Sequence, residues 1–144
     1  AAPRGAAGRA PDRSAALATI RAPDTPPTAP PYAPDAVVAV RGIRAAGGVP
    51  VFAHPGADGR GRVVADAVIE EMAEAGLAGL EVFHRDHDER QRARLEDLAR
   101  TLGLFVTGSS DYHGAGKPNR LGENTTAPTV LEQIEELGQL DVIR

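Results

Sequence analysis

The sequence predicts an α/β fold of parallel strands with flanking helices, on three observations. Short β-branched and aromatic runs alternate with stretches of helical period in the order α-β-α-β-α-β-loop-α, the pattern of parallel strands joined by right-handed crossovers. Glycine closes the helical stretches, at Gly47-Gly48, Gly76, Gly103 and Gly138, as expected where a helix ends. Imidazole and carboxylate side chains gather just after the strand-like runs, and α/β sheets carry their chemistry beyond the carboxyl ends of their strands.

Each element has a local reason. Asp35 can cap a helix whose apolar positions Ala36, Val37, Val40 and Ile43 keep the helical period. Val49 to Ala53 reads as a short buried strand. Val64, Val68, Met72 and Ala75 recur every three or four residues and form a second helix. Gly79 to Phe83 is the next strand. Asp86 and Glu89 have capping-box spacing ahead of a third helix with Leu95, Leu98 and Leu102 on its buried stripe. Leu104 to Thr107 is the third strand. Thr129 with Glu132 opens a fourth helix bearing Val130, Leu131, Ile134 and Leu137, and Leu140 to Ile143 is a last short strand.

Residues 1–34 differ from the remainder. They hold eight of the twelve prolines, which remove backbone donors and bias their neighbours away from helix, so an irregular or disordered arm is expected, with a short helix at Ser14 to Ile20. The α/β domain is then 35–144. Its size suffices for one core, whereas a complete (β/α) barrel takes about 250 residues. The formal charge of −4 gives no basic footprint for a nucleic-acid scaffold. With no cysteine, any metal must be held by nitrogen and oxygen. No apolar run reaches membrane-spanning length and the first ten residues lack a secretory core, so a soluble, cytoplasmic protein is expected.

All four histidines, His54, His84, His87 and His113, fall on the same predicted rim together with Asp111. In Ala53-His54-Pro55 the proline fixes the following φ angle and presents the imidazole rigidly, although such a histidine can also be bonded within its loop; the glycine-containing stretch Gly56 to Gly61 reads as flexible. In Ser110-Asp111-Tyr112-His113-Gly114, Asp and His two apart project to one side and can reach one ion or two adjacent ions; an Asx-turn with an incidental histidine is the alternative. Glu81 lies inside a strand and is a ligand, a partner of a ligand, or part of a solvated face. His84 and His87 can bind metal, hold phosphate or shuttle protons. Lys117 and Arg120, in the loop Gly114 to Gly122, can bind phosphate oxygens or simply form an exposed basic loop. Ser109 and Ser110 show no nucleophile elbow.

Taken together, Ala46-Gly47-Gly48-Val49-Pro50-Val51-Phe52-Ala53-His54-Pro55, then Gly79-Leu80-Glu81-Val82, then Gly108-Ser109-Ser110-Asp111-Tyr112-His113-Gly114 resemble the C-terminal half of PHP-domain metal-dependent phosphoesterases. The branch is that of the nucleoside bisphosphate phosphatases and 5′–3′ exoribonucleases, and the likeness covers roughly residues 31 to 138. It implies the C-terminal portion of a distorted (β/α)7 barrel with a multinuclear metal centre at its mouth. It implies metal-ligand positions at His54, Asp111 and His113, and a divalent cofactor: manganese, iron, zinc or magnesium. It implies hydrolysis of a phosphorylated small molecule or short oligonucleotide; on the reading of the residues themselves, His84 or His87 are the expected catalytic groups and Lys117 and Arg120 the expected substrate contacts. The family also begins with a His-x-His strand, and this sequence has none. A truncated form with reduced or no activity is therefore expected, with self-association through an unclosed sheet edge. An amidohydrolase-type barrel hydrolase and a non-catalytic α/β module are the competing readings.

Overall fold

The computed structural model describes residues 33–60, 63–114 and 117–139. They divide into two compact units, one made of 34–60, 63–112 and 119–139, the other of 33, 113–114 and 117–118. All helices and strands named below belong to the first. The expected arm lies outside the described residues except for 33 and 34, and so do the helix expected at 14–20 and the strand expected at 140–143.

The element order is α1 (Ala36–Ala45), β1 (Val51–Phe52), a 3-10 turn (Asp58–Arg60), α2 (Asp66–Glu74), β2 (Gly79–Phe83), α3 (Glu89–Leu102), β3 (Phe105–Gly108) and α4 (Pro128–Leu137). Among the described residues the strands form one parallel sheet in the order β1-β2-β3. The α/β prediction holds. The boundaries differ by a residue or two, most at β1, where two residues pair instead of the five expected.

Two helix starts differ from their sequence reading. The capping box of α3 is built by Asp88 and Gln91, not Asp86 and Glu89: Asp88 Oδ1 accepts from the Gln91 amide at 2.7 Å, and Gln91 Oε1 accepts from the Asp88 amide at 2.8 Å. Both pairs have the right spacing, but the Asp86 amide is bonded instead to the ring of His84 at 3.1 Å. Similarly, α4 starts at Pro128 without a side-chain cap, because proline at the first helical position has no amide to satisfy. Asp88→Ala should lower stability by about 1 kcal/mol in thermal unfolding, while Asp86→Ala, which leaves the box intact, should cost less. The reverse order would restore the original assignment.

Strand parity separates two faces of the sheet. Phe52, Leu80, Val82, Leu104 and Val106 share one face and pack against Ile69, Met72, Leu95 and Ala99 from α2 and α3. Ile69, Leu80, Val82, Leu95 and Ala99 are fully buried there. The other face carries Gly79, Glu81, Phe105 and Thr107, aligned by the register Gly79↔Phe105 and Glu81↔Thr107. Phe105 lays its ring over Gly79, in the space a β-carbon would take. Both faces of β2 are thus covered up to Val82, as is usual for a parallel strand. The pairing slips between Glu81 and Phe83, so that Phe83 opposes Gly108. This irregularity immediately precedes His84, and such slips re-aim the residues that follow them. Among the described residues no helix is long and apolar enough to cross a membrane.

Candidate active site at the carboxyl ends of the strands

Every strand ends in a residue singled out by the sequence. His54 follows β1 by two residues, His84 directly follows β2, and Asp111 follows β3 by three. Both His54 and Asp111 have positive φ, 32° and 46°, a region that costs a residue with a β-carbon about 1–2 kcal/mol. Pro55 adds to the restriction at His54. Such conformations persist where the surroundings hold them, and here the surroundings are polar and specific.

The backbone N–H of His54 donates to Glu81 Oε2 at 2.7 Å. Glu81 is only 8% exposed, so this bond satisfies a carboxylate that would otherwise be buried at considerable cost. Of the three readings the sequence left open for Glu81, the hydrogen bond supports a partner that holds a candidate ligand in place.

His84 stands at the meeting point. Its ring centroid is 5.2 Å from that of His54 and 5.5 Å from that of His87, and its Nε2 is 3.7 Å from Asp111 Oδ2. The amide of Asp86 donates to His84 Nδ1 at 3.1 Å. An amide can only donate, so Nδ1 accepts and the neutral ring carries its hydrogen on Nε2, toward the Asp111 carboxylate. His84 is thereby oriented as a donor at the rim.

His87 is occupied differently. Its Nδ1 lies 2.7 Å from the Val82 carbonyl, and its Nε2 accepts from the Gly56 amide at 3.1 Å. The hydrogen is therefore on Nδ1, and both ring nitrogens of this buried residue are spent on backbone. A β-carbon on Gly56 would meet His87 Nε2 at 3.3 Å and Leu95 Cδ1 at 3.2 Å. The stretch after His54, expected to be flexible, is thus tightly seated at its start: Pro55, Gly56 and Ala57 are buried.

The cationic loop is divided between the units. Arg120 is exposed, and its amide donates to Glu123 Oε2 at 3.1 Å. Lys117 and His113 belong to the other unit, where the Lys117 amide donates to the Gly114 carbonyl at 3.4 Å and His113 is exposed. Among the described residues no group of three His, Asp or Glu side chains is arranged to hold a metal ion.

The chain is 41% identical over 80 residues to the phosphoribosyl 1,2-cyclic phosphate 1,2-diphosphodiesterase of Eggerthella lenta, covering 56% of this chain and 29% of that protein. It is 32% identical over 97 residues to the 3′,5′-nucleoside bisphosphate phosphatase of Chromobacterium violaceum, covering 67% and 34%. A crystal structure of a candidate metal-dependent phosphoesterase from Bifidobacterium adolescentis superimposes with a TM-score of 0.81 at 38% identity, over 96% of this chain and 49% of that one. The chain is thus similar to metal-dependent phosphoesterases, a likeness consistent with the PHP-domain family. An amidohydrolase from Chromobacterium violaceum, at TM-score 0.58 and 24% identity over 93% of this chain and 48% of that one, shares the fold. No protein-family model matches. The chain spans about a third of the two curated relatives and about half of the solved structures.

The structure adds residues that sequence reasoning passed over. Asn119 is 6% exposed and its amide links the segments after β2 and β3. Arg85 and Glu123 accompany it. A single polar residue in a loop carries no periodic signal, so nothing in the sequence marked Asn119. A cleft of about 500 Å³ lies at the opposite, amino ends of β2 and β3, lined among others by Arg44, Leu77, Phe105 and Glu136, and none of the candidate residues lines it.

Proposed function

We propose that this chain carries part of the active site of a metal-dependent phosphoesterase acting on a phosphorylated small molecule or short oligonucleotide. The observation supporting this reading is the meeting of His54, His84 and Asp111 at the carboxyl ends of three parallel strands. Similarity to two curated enzymes that act on phosphate esters points the same way.

The nitrogen and oxygen donors suit manganese, iron, zinc or magnesium. His54 and Asp111 would be ligands, although the described residues do not by themselves complete a three-ligand site. A bound ion would supply Lewis-acid stabilisation of a phosphoryl oxygen and an acidified water. His84 directs its Nε2 hydrogen into the same space and would hold a phosphoryl oxygen or protonate the leaving group. His87, with both nitrogens engaged by backbone, would position the His54 loop and not exchange protons with substrate. Arg120 would add a cationic contact to phosphate. Self-association through a sheet edge belongs to the same proposal, as a route by which further strands reach the rim.

The test is release of phosphate or nitrophenol from mono- and bis-nitrophenyl phosphate with each of the four metals in turn. Metal-dependent turnover that falls about 100-fold in His84→Ala supports the assignment, that being the usual contribution of a positioned acid or donor. His54→Ala should abolish the metal dependence. Turnover indifferent to both substitutions, or none with any of the metals, would count against the reading for this chain.

A further inference from the structure

We propose that Asn119 is the positioning residue that sets the distance between His84 and Asp111. The inference rests on the phosphoesterase reading for its purpose, but its geometry stands separately. Asn119 Nδ2 donates to the Ser110 carbonyl at 2.8 Å and to the Asp111 carbonyl at 3.2 Å. Its Oδ1 accepts from Arg85 Nη1 at 3.0 Å. Carbonyls only accept and guanidinium only donates, so the orientation of the amide is determined by its partners. All three of its polar contacts are made, and the side chain is buried.

The partners are the residues that matter at the rim. Arg85 follows His84 directly, and Asp111 is the carboxylate 3.7 Å from His84 Nε2. One amide therefore ties the segment bearing the imidazole to the segment bearing the acid. Glu123 steadies the far side, its Oε1 lying 3.5 Å from Arg85 Nε while its Oε2 accepts from the Arg120 amide. The hold on Asp111 is needed because its φ of 46° is unfavourable for a residue with a β-carbon. Besides the Asn119 bond to its carbonyl, its amide donates to Ser109 Oγ at 3.0 Å. Fixing both ends of a strained residue is how such a backbone conformation is kept.

Asn119→Asp separates the two halves of this clamp. It keeps the shape and an acceptor for Arg85, but sets a carboxylate oxygen against the Ser110 and Asp111 carbonyls. NMR of the full chain without metal should show the Asp111 amide and the His84 ring resonances displaced. The methyl resonances of Ile69, Leu80 and Leu95 should stay in place. Asp111→Gly supplies a second readout, because glycine adopts positive φ without strain. In that background the drop in melting temperature caused by Asn119→Asp should shrink to roughly half or less, the coupling expected of residues that share one constraint. Unmoved Asp111 and His84 signals, or equal drops in both backgrounds, would refute the clamp. Since neither readout involves hydrolysis, a clamp that behaves as expected in a chain without phosphatase turnover would sink only the phosphoesterase reading.

Discussion

Gly108→Ala should cost about 3 kcal/mol of folding stability, at the upper end of what one added methyl does in a packed region. A β-carbon at Gly108 would lie 2.5 Å from the Thr125 carbonyl oxygen and 2.9 Å from Phe83 Cβ. Neither obstacle is the tip of a flexible side chain, so relief requires backbone movement. That movement would break a reciprocal pair of bonds: the Gly108 amide donates to Thr126 Oγ1 at 3.0 Å, and the Thr126 hydroxyl donates to the Gly108 carbonyl at 2.9 Å. Gly79→Ala is the control. There the obstacle is the Phe105 ring, which can rotate or shift, and the loss should be smaller. Urea titration measures both, as a lowered midpoint at unchanged slope. If Gly108→Ala unfolds at the wild-type midpoint, the close approach of Thr125 to β3 is wrong.

Glu81→Ala should have the second large effect, on stability and on the candidate site together. It removes the carboxylate that accepts the His54 amide and leaves a part-buried donor without that partner, a loss of about 2 kcal/mol for a bond to a charged group. With the bond gone, the His54 amide loses its carboxylate partner at an unfavourable φ, so the imidazole should shift from its place beside His84. Glu81→Gln keeps an acceptor at the same reach and should retain most of the stability. Unfolding curves give the first comparison, and calorimetric titration with manganese gives the second, in which Glu81→Ala should bind at least about tenfold more weakly than Glu81→Gln if the site is misplaced by even a modest 1.4 kcal/mol. Equal affinities for the two variants would show that Glu81 does not govern His54.

Much of this was legible in the residues. The helical periods of Val64, Val68 and Met72 and of Leu95, Leu98 and Leu102 marked α2 and α3 because a helix must bury one stripe. The run Gly79 to Phe83 marked β2 to the residue. Placing His54, His84 and Asp111 on one rim needed only the order of elements, since parallel strands end at the same edge. Other features were beyond local pattern. Asp86 and Asp88 both precede a plausible third residue, and only the bond from the Asp86 amide to His84 decides between them. His87 looked as available for chemistry as His84, and only its two backbone partners distinguish it. The seating of Gly56 against Leu95 and His87 depends on residues more than thirty positions away.

The amino-acid sequence by itself determined the alternation of helix and strand, the parallel order of the strands and the edge at which imidazole and carboxylate collect. These follow from periodicity and from punctuating glycines, which are properties of neighbours along the chain. The tertiary structure decided which of those side chains face one another and which are consumed by backbone. It also supplied the roles of Glu81 and Asn119. Hydrogen-bond partners are chosen by distance and direction in space, and the bonds that hold His54 and Asp111 join residues 27 and 8 positions apart, separations at which sequence carries no periodic signal.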